Sequence, residues 1–126
     1  MKSKKDLVER RGHKRFEVKE GAFASLKGPV SKLGQITDIS RGGLAFRYID
    51  TGVRPARLFD LEISLTDNTF RLKEVSCKSI SDSEITNEFH FSSITMRRLG
   101  VQFEKLTQDQ NSQLEYFIQN HTIGEP

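Results

Sequence analysis

The chain has 126 residues, 35% of them hydrophobic and nine of them Phe, which is enough apolar material for one folded domain and excludes a disordered chain. No apolar run approaches the roughly 18–20 residues of a membrane-spanning helix, and the basic start MKSKKDLVERR lacks the apolar stretch of a secretory signal, so a cytoplasmic location is expected. The net charge of +3 is concentrated in residues 1–15, where seven Lys/Arg face only Asp6 and Glu9, which argues against a uniformly basic surface for coating nucleic acid and for an anionic partner held by one arm.

Residues 1–14 have only Leu7 and Val8 as apolar positions and are read as a flexible basic N-terminal arm, with residues 15–123 forming the folded body. RFEVKEGAFASL alternates at Phe16 and Val18, then at Ala22, Ala24 and Leu26, as expected for one strand with a bulge at Gly21. KGPVSKLG is a turn. In LAFRYID, Leu44, Phe46 and Tyr48 share one face and Ala45, Arg47 and Ile49 the other. After the loop TGVRPA, RLFDLEISL alternates cleanly at Phe59, Leu61, Ile63 and Leu65, TDN turns the chain, and FRLKEVSCKSI returns as its partner.

SDSEITNE is read as a loop, and FHFSSITM and RLGVQFEKL as two more strands. At Thr107 the period changes from 2 to 3.6: TQDQ is a Thr-x-x-Gln capping box, and Leu114, Phe117 and Ile118 form one narrow apolar stripe, so a helix over about 107–121 should dock on the sheet. The expected fold is mainly β, a small antiparallel six- or seven-stranded β-barrel closed by a C-terminal α-helix. Cys77, the single cysteine, excludes an internal disulfide and fits a part-buried strand thiol, and His13, His90 and His121 are too scattered for a metal site.

Two polar stretches stand out. ERRGHKRF places Arg10, Arg11, Lys14 and Arg15 just before the first strand. TDISRGG places Asp38 and Ser40 two apart in an extended segment, on one face together with Ile36, followed by Gly42 and Gly43. Each has a plain structural reading by itself, a solvated tail and a polar turn. Together they also suit a ligand, because Arg can grip phosphate or a purine edge while Asp and Ser accept and donate hydrogen bonds.

The pair, Arg11-x-x-x-Arg15 and Asp38-x-Ser40-x-x-Gly43, with Asp38 23 positions after Arg15, resembles the two-part signature of PilZ domains. The resemblance extends over nearly the whole chain, including the GVQF strand at Gly100–Phe103 and the closing helix. It implies a stand-alone receptor or adaptor for the bacterial second messenger cyclic di-GMP, with that ligand in place of any cofactor. Arg11 and Arg15 would contact phosphate and guanine O6/N7, Asp38 would accept from guanine N–H groups with Ser40 supporting it, and Gly43 would leave room for the ligand. Arg10, immediately before the motif, implies two stacked ligand molecules. Lys14 and His13 are expected to be solvated, Lys2, Lys4 and Lys5 to be tail, and Arg97 and Arg98, at most one of which can face the ligand, to serve the surface.

Ligand binding would order the arm and change a surface for an unidentified downstream protein. No Ser/His/Asp or Cys/His grouping suggests an enzyme. A nucleic-acid-binding barrel is the main rival, disfavoured because the chain after residue 15 carries thirteen basic and fifteen acidic groups. A PilZ-like scaffold that does not bind ligand is the other, and the complete signature argues against it.

Overall fold

The computed structural model describes residues 14–86 and 94–124. Among these residues the strands are β1 (Phe16–Val18), β2 (Ala22–Lys27), β3 (Lys32–Ile39), β4 (Gly43–Ile49), β5 (Leu58–Leu65), β6 (Arg71–Ile85), β7 (Met96–Lys105) and β8 (Thr122–Gly124), and the helix α1 (Gln108–Asn120) lies between β7 and β8. The hydrogen-bonded order β2-β5-β6-β7-β4-β3 closes on itself through a β2–β3 pairing, giving a six-stranded antiparallel barrel. β1 and β8 continue outward from β3 as a short flap.

Alternation in the strands builds the core. Leu26, Ile36, Phe46, Leu61, Ile63, Leu72, Val75 and Leu99 are all fully buried inside the barrel. Burying each such side chain is worth about 1.5–3 kcal/mol relative to exposure. Tyr48 is also buried, and its hydroxyl donates to the Asp82 carboxylate at 2.8 Å, where Arg97 Nε donates as well. Burial and the Asp82 charge push the Tyr48 hydroxyl up to about 12. Cys77 is 1% exposed, its thiol pushed up to about 12 chiefly by burial, so it is an inert core group.

The capping box forms as expected: Thr107 Oγ1 accepts from Gln110 N, and Gln110 Oε1 accepts from Thr107 N, both at 3.0 Å. Leu114, Phe117 and Ile118 are the buried stripe, and Phe117 packs against Phe70, the residue just before β6, with ring centroids 5.2 Å apart.

Four local expectations differ from the structure. RFEVKEGAFASL is two strands and not one bulged strand, because Gly21 at φ +93° turns the chain so that β1 pairs with β3 and β8 while β2 pairs with β3 and β5. Ser81–Ile85 is strand and not loop: β7 offers Gly100 to Met96 as ladder partners, and backbone pairing overrides a polar composition. RLGVQFEKL belongs to the single strand β7, which begins at Met96; most of FHFSSITM lies outside the described residues, and Ile94 and Thr95 are not in a strand. Finally, the chain past the helix adds β8, which pairs with β1.

Candidate functional site

Asp38 owes its direction to a β-bulge. Opposite β4, Ile36 pairs with Phe46 and Asp38 with Ala45, so Thr37 is an extra residue and the alternation slips. Ile36 and Ile39 both enter the core, while Asp38 turns to the outer face. Ile36 therefore does not share a face with Asp38, contrary to the simple alternation of the sequence. β3 then turns into β4 through Ser40, whose hydroxyl is 3.3 Å from the Gly43 carbonyl and accepts from Gly42 N–H at 3.1 Å. The Ser40 backbone N–H donates to the same Gly43 carbonyl at 2.8 Å. Ser40 is thus a turn-forming residue as well as a wall of the site.

Arg15, Asp38, Ser40 and Gly43 line one open cavity of about 690 Å³, within the range that holds small ligands. Arg10, Arg11 and His13 lie outside the described residues, as does the expected arm apart from Lys14. The floor of the cavity is the outer face of β4, β7 and β6. There Asp38, Ala45, Gly100 and Ser81 follow one another across successive strand pairings. A Cβ on Gly100 would come within 2.4 Å of Ser81 Oγ, so this floor has little side-chain bulk. Gly43 is tighter still, since a Cβ there would meet the Val101 carbonyl oxygen at 2.0 Å. The space next to Gly43 belongs to β7 in the first place.

Two arginines join this cavity that were not expected in it. Arg98 Nη2 donates to Asp38 Oδ2 at 2.8 Å, reaching diagonally across Ala45. Of the Arg97–Arg98 pair, at most one of which was expected to face a ligand, Arg98 lines the cavity. Leu99, Val101 and Phe103 face the core, so Arg98, Gly100 and Gln102 face out, and Arg97 turns to the Tyr48–Asp82 group at the barrel end. That phase is legible in RRLGVQF; that the outer face of β7 meets Asp38 is not, because it depends on β4 lying between β3 and β7. Arg41, at the tip of the β3–β4 turn, pairs with Glu115 of α1, with Nη2 to Oε2 at 3.0 Å. Its guanidinium holds the Glu115 carboxyl below the usual range.

A negative carboxylate flanked by cations, above a floor of small residues, suits a flat ligand that carries both N–H donors and anionic oxygens. The PilZ domain model matches residues 9–120, which is most of the sequence and includes both motif halves. The chain belongs to the PilZ domain family. Its fold is also that of solved PilZ structures. The PilZ domain with c-di-GMP of YcgR from Escherichia coli superposes with a TM-score of 0.68 at 18% identity, over 89% of this chain and 91% of that one.

MrkH of K. pneumonia in its apo state gives a TM-score of 0.63 at 14% identity, over 85% of this chain and 47% of MrkH. The K. pneumonia MrkH–c-di-GMP complex gives a TM-score of 0.63 at 16% identity, over 86% of this chain and 49% of that one. This PilZ chain therefore spans about half the length of MrkH. A comparison with curated proteins gave no significant match. Among the described residues of this PilZ domain, no helix is long and apolar enough to cross a membrane.

Proposed function

We propose that this PilZ chain is a cytoplasmic, non-enzymatic receptor for cyclic di-GMP, bound in the cavity bordered by Arg15, Asp38 and Arg98. The observation that carries the reading is the convergence of both signature halves on one cavity: Arg15 from before β1 and Asp38, Ser40 and Gly43 from the β3–β4 hairpin. The YcgR PilZ domain and MrkH, which share this fold, have both been solved with c-di-GMP. In this reading Arg11 and Arg15 hold phosphate and guanine O6/N7, Asp38 accepts from guanine N–H groups, and Arg10 supports a second, stacked ligand. In the same reading, ligand binding orders the arm, residues 1–14, and so changes a surface offered to a downstream protein.

Calorimetric titration with cyclic di-GMP tests this. Wild type should saturate at two ligands per chain, and Arg11→Ala, Arg15→Ala and Asp38→Ala should each weaken binding by about tenfold or more, since a charge-assisted hydrogen bond is worth about 1.5–3 kcal/mol. Unchanged affinity in all three variants would defeat the site assignment. Tight binding of single-stranded RNA with a steep salt dependence and no preference for the dinucleotide would favour the nucleic-acid reading instead.

A further inference from the structure

Among the described residues, Lys32 is the only charged one that is buried, 7% exposed at the start of β3 and in phase with Ile36 of the core. Its Nζ donates to Thr51 Oγ1 at 2.8 Å and stands 5.1 Å from the centre of the Tyr48 ring. Both partners are neutral, and an ammonium carries three N–H donors. The carboxylates beside those partners are engaged elsewhere. Asp82 accepts from Tyr48 and Arg97, and Asp50 accepts from the Gly52 N–H and from Arg54. None of the ion pairs among the described residues includes Lys32. A buried ammonium without a counter-charge is costly, and a carboxylate brought to it gains accordingly.

Lys32 stands in the wall of a second cavity, about 430 Å³, which shares no lining residue with the cavity of Asp38. Leu33, Ile49 and Val53 line it too and are 65%, 53% and 52% exposed, with Pro29 and Val30 beside them. Scattered exposed aliphatics are ordinary on a protein surface, but several around one concavity mark an interaction site. Lys32 opens β3 and Ile49 closes β4, so this groove lies at the far end of the β3–β4 hairpin from Ser40 and Gly43. The strand between Lys32 and Asp38 is roughly 20 Å long at about 3.3 Å per residue. A molecule seated here therefore leaves the Asp38 cavity open.

We infer that this groove docks a segment of a partner protein that presents an Asp or Glu carboxylate between aliphatic or aromatic side chains. The carboxylate pairs with Lys32, and the apolar side chains cover Leu33, Ile49 and Val53. Charge complementarity selects this occupant: a purely apolar segment would seal the ammonium away from water with no counter-charge, and a basic one would be repelled. The inference goes beyond the cyclic di-GMP reading and does not depend on it.

The test is selection of a random dodecapeptide phage library on the immobilised full chain. The recovered sequences are then synthesised and titrated against wild type, Lys32→Met, Leu33→Ser and Ile49→Ser, with thermal melts as the fold control. Recovered peptides should carry Asp or Glu next to Leu, Ile, Val or Phe. Lys32→Met should weaken them about 10- to 100-fold, the share of one charge-assisted hydrogen bond, and replacing the peptide's acidic residue by its amide should cost wild type the same and Lys32→Met little. Leu33→Ser and Ile49→Ser, both at exposed positions, should also weaken binding, and they serve if the Lys32 variant does not fold. Recovery of no peptide, or of peptides without an acidic residue, overturns the inference. So does equal binding by wild type and the Leu33 and Ile49 variants. Sedimentation of wild type as a dimer that Ile49→Ser makes monomeric overturns it as well, because the occupant would then be a second copy of this chain.

Discussion

A methyl group on Gly43 would stand 2.0 Å from the Val101 carbonyl oxygen and 3.1 Å from its carbon, both backbone atoms of β7 that cannot swing aside. Glycine at this position therefore serves strand packing even before any ligand is considered. Gly43→Ala should lower stability by on the order of 2–3 kcal/mol through overpacking, read as a reduced urea midpoint, with a further loss of cyclic di-GMP affinity as β4 and β7 part at the cavity floor. At this scale the residue types of the site were legible and their directions only partly so. Asp38 and Ser40 stand out in TDISRGG, but the bulge at Thr37 that turns Asp38 away from Ile36 leaves no mark in the residue pattern. Nothing in RRLGVQF says that Arg98 will find a carboxylate sixty residues earlier in the chain.

The helix and the strand it docks on depend on one glutamine. Gln110 closes the capping box through Oε1 and, through Nε2, donates to the carbonyls of Lys73 at 2.9 Å and Glu74 at 3.1 Å. Those two carbonyls belong to a bulge in β6, where Leu61 pairs with Val75 but Ile63 pairs with Leu72. Glu74 pays for the bulge with a left-handed backbone, φ 56°. Glu74→Gly should raise stability by about 0.5–1 kcal/mol, the left-handed cost of about 1–2 kcal/mol being partly offset by the greater chain entropy of glycine. Gln110→Ala should lower it by about 1–2 kcal/mol, because a cap and two cross-element hydrogen bonds are lost together. Thermal denaturation of both variants checks the opposite signs. The helix was legible because its cap and stripe are local; the extension of β6 through Ser81–Ile85 was not, because its partner strand supplies the reason.

For the whole molecule, the basic excess and the barrel are separable. Among the described residues, the buried core begins at Val18, with Phe16 packed against it, and the barrel closes through the β2–β3 pairing. Deleting residues 1–14 should leave the ligand-free melting temperature within about 4 °C of wild type, while cyclic di-GMP affinity falls by at least about tenfold from loss of the Arg10 and Arg11 charges. A melt carried out with and without ligand reads both effects, since ligand should raise the midpoint of wild type far more than that of the truncated chain.

Local pattern by itself determined the mainly β body, the capped helix with Leu114, Phe117 and Ile118 inward, the clean strand of Phe59, Leu61 and Ile63, and the two polar stretches that carry the PilZ resemblance. These are properties of side-chain period and turn chemistry, which act over a few residues. Tertiary structure alone decided which strands are neighbours, where a bulge reverses a side chain, and that Arg98 and Arg41 meet Asp38 and Glu115. The physical reason is that backbone ladders accept almost any sequence, so pairing is chosen by closure of the shared core, and charges far apart in the chain are brought together only once that closure has occurred.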